Sequence, residues 1–206
     1  MPRGPVVDQW PDNHAHEIVP GVWLGDFESA MDVQSCSTRR ISKLLCADKR
    51  AGAAVSAERG RSKCRNATSQ RAAESGLIKK TESLVLPLDS MSKTPITTKI
   101  VIQAASFINA AIRDDRPVLI FGLRGVTYSA AITTAWLMRC GSPEDSRIED
   151  GDQYVPSRIQ LTYAEAHSLV SKRPQVRQLP DHLRQQVDNC AQARSVNPDG
   201  PVKHKV

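Results

Sequence analysis

A chain of 206 residues with 40% hydrophobic content is long enough to enclose one substantial core, and an aromatic content of 4% leaves aliphatic side chains to fill it. Twenty-eight Lys and Arg against 22 Asp and Glu give a formal net charge of +6, which favours an acidic or phosphorylated partner and speaks to association, not to fold. No apolar run approaches the roughly eighteen residues of a membrane span, the stretch MPRGPVVDQWPDNHAHE lacks a secretory apolar segment, and five cysteines form no C-x-x-C pair or metal spacing. These features argue against a membrane span and a metal site, no cofactor is expected, and they predict a protein of the cytosol or nucleus with free thiols.

Residues 1–16 carry Pro2, Pro5 and Pro11 among polar residues and read as a flexible tail. His14 and His16 could face one way on a strand, but two imidazoles fall short of the three or four ligands a metal needs, so they are read as surface histidines. Ile18, Val22, Trp23 and Leu24 predict two short strands around a Pro20-Gly21 turn, and a helix follows from Phe27 to Val33. Ile41, Leu44 and Leu45 supply the next buried strand.

Between Ser37 and Lys80 twelve Lys and Arg stand against Asp48, Glu58 and Glu74, a local +9 that exceeds the +6 of the whole chain. Large apolar residues are almost absent from residues 47–76, which are expected to form a long basic loop inserted in the domain. This insertion is either a solvated surface or a grip on a partner: nucleic acid, acidic lipid or a phosphorylated protein. It lacks the interleaved aromatics that stack bases, which argues against nucleic acid.

Leu84, Val85, Leu86 and Leu88 predict a strand entering the turn DSMSKTP. Ile100, Ala104, Phe107, Ile108 and Ala111 then share one stripe of a helix between Ile96 and Ile112. Val118 to Phe121 form a further strand, followed by a loop with Gly122 and Gly125 and a helix opening on Thr127 to Ser129. Exposed N–H groups and the positive helix end of such a strand-loop-helix unit suit an anion. An acidic loop spans residues 141–160, Thr162 and Glu165 form a capping-box pair, a last helix runs from Asp181 to Cys190, and residues 191–206 read as a disordered tail. Alternating strands and helices predict an α/β domain over residues 17–190, with a central, mostly parallel sheet flanked by helices and the glycine loop at a strand's carboxyl end.

The pieces IVPGVWLGDFESAMD, ISKLLCAD, LPLDS, IVIQAASFINAAI, VLIFGLRGVTYSAAITTAWLM and LTYAEAHSLVSKRPQV stand in this order at spacings that resemble the dual-specificity protein phosphatases of the cysteine-phosphatase superfamily. The resemblance implies that family's fold and makes Gly122, Leu123, Arg124, Gly125, Val126, Thr127, Tyr128 and Ser129 the phosphate-binding loop. The family's loop reads His-Cys-x-x-Gly-x-Ser/Thr-Arg. Here Phe121 stands at the His position, Gly122 at the nucleophilic Cys and Tyr128 at the phosphate-binding Arg, while Gly125 and Thr127 match. Asp89 falls where the family keeps its general acid.

Glycine offers no side chain to attack phosphorus, and a phenol cannot replace a bidentate guanidinium. Arg124 could return a positive charge to the pocket only if it pointed inward. Cys140 lies roughly 20 Å along the helix from Thr127 at 1.5 Å per residue. The resemblance therefore implies a pseudophosphatase that works as a binding or scaffold protein in phosphorylation signalling. Two versions stay open: the loop still holds a phosphoresidue, or Phe121 and Tyr128 fill the pocket and partners bind elsewhere on the surface, the version the lost side chains favour. Alternatives are a residual phosphatase acting on phosphotyrosine or phosphothreonine through a non-standard site, and a nucleotide-binding domain, for which Gly122-x-x-Gly125 is an incomplete G-x-G-x-x-G. Neither the partner's identity nor the oligomeric state is set by these residues.

Overall fold

A computed structural model describes residues 15–55, 57, 81–123, 127–141, 148–149, 153–154, 161–172 and 178–193. Strands β1 (His16–Val19) and β2 (Val22–Asp26) form an antiparallel hairpin whose turn places Gly21 at φ +77°, a left-handed conformation that glycine adopts without steric cost. Two aspartates then start two short helices. Asp26 accepts from the Ser29 N–H at the head of α1 (Phe27–Met31), and Asp32 accepts from the Ser35 N–H at the head of α2 (Val33–Thr38). The single helix expected from Phe27 to Val33 is thereby split at Asp32, whose side chain competes for the backbone in a way that favours a cap over a helix interior.

The chain continues through β3 (Lys43–Cys46), a helical stretch α3 (residues 49–55), β4 (Glu82–Val85), α4 (Thr98–Arg113), β5 (Val118–Gly122) and α5 (Thr127–Cys140). A two-stranded ribbon of β6 (Ile148–Glu149) and β7 (Gln153–Tyr154) and the helices α6 (Tyr163–Val170) and α7 (Asp181–Gln192) follow. The sheet order is β1-β2-β5-β3-β4, with every pairing parallel except β1 with β2. The α/β class and the mostly parallel sheet flanked by helices are as the sequence predicts.

β5 is buried at every position, and its alternation divides the core in two. Leu119 and Phe121 join Leu44 and Cys46 against Ala30, Cys36, Ala51 and Val55 of α1, α2 and α3. Val118 and Ile120 join Leu24 and Leu45 on the opposite face, beneath α4, α5, α6 and α7. Helix α5 lies in the middle of that layer and is buried almost all round, Trp136 fully so, with its indole N–H donating to Asn109 at 2.9 Å.

The expected basic loop begins instead as a helix. Asp48 accepts from the Arg50 N–H at 2.9 Å as an N-cap, and Ala51 and Val55 are buried. Small residues let α3 sit close to the sheet, since a Cβ on Gly52 would lie 2.5 Å from both methyls of Val85. Residues 58–76 of the insertion lie outside the described residues, as do the tails 1–14 and 194–206. His16 is buried on β1 beside a buried Ala15, so it is not a surface histidine and the ordered domain starts ahead of Glu17. Within the expected acidic loop, Ile148 pairs with Tyr154 and Glu149 with Gln153. The remaining positions of residues 142–160 lie outside the described residues. Thr162 and Glu165 do form a reciprocal capping box.

Candidate active site

In a parallel α/β sheet, ligands collect where strands end and helices begin. Here β5 ends at Gly122, β3 ends just before Asp48, and α5 starts at Thr127. A cavity of about 210 Å³ opens at that edge, and Gly122, Leu123, Thr127 and Tyr128 form part of its wall. Arg124, Gly125 and Val126 lie outside the described residues. Ser129 is fully buried on α5, where its carbonyl accepts the Thr133 hydroxyl at 2.8 Å.

Phe121, expected to add bulk to the pocket, packs on the other side of the sheet. The period of two along β5 sends it with Leu119 into the layer under α1 to α3 while Gly122 reaches the cavity. Tyr128 supplies a phenol ring to the cavity wall. It is 9% exposed, and its hydroxyl donates to the Thr94 carbonyl at 3.0 Å. Burial, and then the nearby carboxylates of Asp48 and Asp89, raise its pKa above 10.0, so the group stays a neutral phenol.

Asp89 organises the turn that meets Tyr128. One carboxylate oxygen accepts from the Met91 N–H at 2.9 Å and the Ser92 N–H at 3.4 Å, and the Asp89 carbonyl accepts from the Thr94 N–H at 3.2 Å. The other oxygen pairs with Lys49 Nζ at 3.3 Å and an Arg50 guanidinium nitrogen at 3.5 Å. Burial alone would raise the Asp89 pKa; the Met91 N–H, Lys49, the Ser92 N–H and Arg50 outweigh it and hold the group below 3.8. A general acid has to carry a proton near neutral pH, and this carboxylate is held without one. Lys93, at φ +50°, completes the turn in a left-handed conformation that is uncommon outside glycine.

Four further cavity residues, Asp48, Ser90, Lys93 and His182, were not singled out as site residues from sequence. Asp48 is buried and accepts the Ser90 hydroxyl at 2.7 Å. It puts a carboxylate in the cavity wall, which opposes entry of a phosphate dianion. Its place immediately beyond the carboxyl end of a parallel strand was the sequence feature that could have marked it.

A thiolate nucleophile is lacking among the described residues. Cys36, Cys46, Cys140 and Cys190 are all buried. Burial pushes the Cys46 thiol up to about 11, and the Asp48 carbonyl accepts from its Sγ at 2.8 Å. Cys140 closes the far end of α5. No group of three or more His, Cys, Asp or Glu among the described residues could hold a metal, and no described helix is long and apolar enough to cross a membrane. Among the described residues α5 is not followed by another strand of the central sheet, so the βαβ unit of a dinucleotide site is not formed around Gly122.

No protein-family model matches the sequence, and no curated protein matches it. Solved structures do match along nearly the whole chain. DUSP15 aligns with a TM-score of 0.58 and 18% identity over 90% of this chain and 92% of that one. Human DUSP28 aligns with a TM-score of 0.57 and 16% identity over 89% and 96%. The human tyrosine phosphatase-like serine/threonine/tyrosine-interacting protein aligns with a TM-score of 0.58 and 18% identity over 89% and 99%. The cavity at the end of β5, with Gly122 on its wall and Tyr128 on the first turn of α5, thus belongs to a chain that has the dual-specificity protein phosphatase fold.

Proposed function

We propose that this protein is a catalytically silent relative in fold of the dual-specificity phosphatases, acting in phosphorylation signalling by binding a phosphorylated or acidic protein partner outside the cavity walled by Tyr128, in the cytosol or nucleus. The observation that carries this reading is the hydrogen bond from Tyr128 to the Thr94 carbonyl. At the position where the resemblance calls for a guanidinium open to phosphate, a buried neutral phenol is turned onto the protein's own backbone. An arginine that takes up transition-state charge in phosphoryl transfer contributes on the order of 10³ to 10⁵ in rate, and a phenol engaged elsewhere contributes none of it.

Three other features support silence. Gly122 has no nucleophilic side chain, Asp48 sets negative charge in the wall, and Asp89 is an ion-paired carboxylate with no proton to give. The cavity residues Gly122, Leu123, Thr127 and Tyr128 are then the remains of a phosphate cradle, with Arg124, Gly125 and Val126 completing the loop in sequence. One structural neighbour is itself named as phosphatase-like and as an interacting protein, which fits a binding role on this scaffold.

The test is p-nitrophenyl phosphate hydrolysis by the purified protein beside the double variant Gly122→Cys, Tyr128→Arg. The parent is expected to be inert and the double variant to turn over. Parent turnover at the level of the double variant overturns the reading. Titration with a phosphotyrosine or phosphothreonine peptide separates surface binding from trapping: affinity abolished by orthovanadate would place the phosphate in the old cradle.

A further inference from the structure

The loop between β4 and α4 is anchored at both ends, and Thr94 sits between the anchors. At one end Ser90 donates to Asp48 while Met91, Ser92 and Thr94 donate backbone N–H groups to Asp89. At the other the buried Ile96 donates its N–H to Gln186 at 2.8 Å, and its carbonyl receives the Cys190 thiol at 3.6 Å. Thr94 is half-buried, with its hydroxyl 3.3 Å from the Ser92 hydroxyl of the same turn, and Ser92, Lys93 and Pro95 are exposed.

Thr94 precedes a proline, one of two Ser/Thr-Pro pairs in the sequence, the other being Ser142-Pro143. Proline has no N–H and biases the residue before it toward extended backbone, and residues 94–97 belong to no helix or strand. A half-buried threonine followed by an exposed proline, outside any helix or strand, is a dipeptide that a kinase selective for proline after its acceptor hydroxyl can take. The surroundings can also receive the product. Lys93 is adjacent, and Lys49 and Arg50, both more than half exposed, meet the carboxylate of Asp89, whose carbonyl bonds the Thr94 N–H. A phosphothreonine adds a charge of about −2 and three strong acceptor oxygens.

We propose that Thr94 is a phosphorylation site for a proline-directed protein kinase, and that its phosphate, drawn to Lys93 and the Lys49–Arg50 pair, pulls the Thr94 carbonyl off Tyr128 and widens the pocket mouth. In the transfer the Thr94 hydroxyl oxygen attacks the γ-phosphorus of kinase-bound ATP. The new O–P bond forms as the bond to the β-phosphate oxygen breaks, ADP leaves, and the hydroxyl proton passes to the kinase's base. The phosphate then competes with Asp89 for its two cations, loosening the turn, and repulsion from Asp48 and Asp89 directs it away from the cavity. This inference rests on the reading of a silent pocket whose Tyr128 is held by the Thr94 carbonyl and adds what releases it.

The test incubates the full-length protein with ATP and a purified mitogen-activated protein kinase, then maps phosphate and tetranitromethane nitration by peptide mass. Phosphate is expected on Thr94 of the native protein and absent there in Thr94→Ala. Nitration of Tyr128 should rise about tenfold on phosphorylation, the scale of one hydrogen bond lost. The double variant Lys49→Ala, Arg50→Ala, having lost the cations that brace Asp89, should show raised nitration before phosphorylation and little further rise on accepting the phosphate. A native protein with no phosphate on Thr94 overturns the proposal, whether or not a peptide of residues 88–99 is labelled; phosphate on Thr94 with Tyr128 nitration unchanged overturns the opening. Hydrolysis of p-nitrophenyl phosphate by the unphosphorylated parent would sink the silent pocket and leave the Thr94 modification standing, so the two failures are distinct.

Discussion

The Tyr128 hydroxyl reaches 34 positions back along the chain to the Thr94 carbonyl, at 3.0 Å. That bond joins the first turn of α5 to the loop after β4, two segments of the wall around the cavity at the end of β5. A guanidinium in this place would present several donors and a full charge to an incoming anion. The phenol presents one neutral donor, and that donor goes to the protein's own Thr94 carbonyl, tying the loop to α5.

Replacing Tyr128 by Phe keeps the ring in its apolar setting and deletes this bond alone. The expected loss is about 0.5–1.5 kcal/mol of stability, read as a lower urea midpoint with an unchanged slope. Hydrogen exchange should quicken at Thr94 and its neighbours while α4 stays protected. A Phe variant as stable as the parent would show that the contact does not hold the loop.

Asp89 sets an acid limb. Burial raises its carboxyl, but the Met91 N–H, Lys49, the Ser92 N–H and Arg50 together hold it below 3.8 in the folded protein. With the folded pKa below the unfolded one, the unfolded chain binds the proton more readily. The stabilisation is therefore present above the unfolded value and is lost as pH falls through the folded one. Asp89→Asn keeps an oxygen for the Met91 N–H and loses the charge facing Lys49 and Arg50. It should be less stable than the parent at neutral pH and lose less on acidification below about pH 4; parallel acid limbs in circular dichroism would remove Asp89 from the account.

How much of this was legible follows from which interactions are local. The capping box at Thr162 and Glu165 and the stripe of α4 depend on residues a few positions apart, and each is found where the pattern put it. Gly122 and Tyr128 were marked by a resemblance along the chain, and both meet at one cavity. The side of the sheet that Phe121 would occupy was harder, because a strand buried on both faces has no polar alternation to orient it. Helix α3 was hidden by its composition. Ala51, Gly52 and Val55 carry little apolar area, and the close fit at Gly52 depends on Val85, more than thirty positions away. Asp48 was counted as one acid in a basic stretch, whereas its role as cap and cavity wall depends on Arg50 and on Ser90 across the sheet edge.

Cys46 offers a chemical check on the absence of an activated thiol among the described residues. Burial raises it from 9.0 to about 11, against smaller opposing contributions from the Asp48 and Gly52 backbone. Two units of pKa reduce the thiolate population about a hundredfold at neutral pH. In the native protein Cys46 should stay unmodified by iodoacetamide under conditions that alkylate a model thiol, and it should react fully after unfolding in urea. Rapid alkylation of native Cys46, mapped by peptide mass, would contradict both its burial and its placement behind the sheet.

Gly52→Ala sets helix propensity against packing. Alanine in a helix interior is favoured over glycine by about 1 kcal/mol, so propensity alone predicts a more stable protein. The added Cβ would stand 2.5 Å from both Val85 methyls, and a β-branched side chain has little rotamer freedom with which to withdraw. Helix α3 must then lift from β4, which uncovers Ala51 and Val55 and draws Lys49 and Arg50 off Asp89. Overpacking of this kind costs about 1–3 kcal/mol, and the loss of the ion pairs adds to it, so a net fall in melting temperature is expected. Adding Val85→Ala relieves the clash at a partly exposed strand position, and the double variant should recover most of the loss, giving a favourable coupling in a double-mutant cycle. A single Gly52→Ala variant more stable than the parent would mean that α3 does not rest on Val85, and the cations that flank Asp89 would lose the support that holds them there.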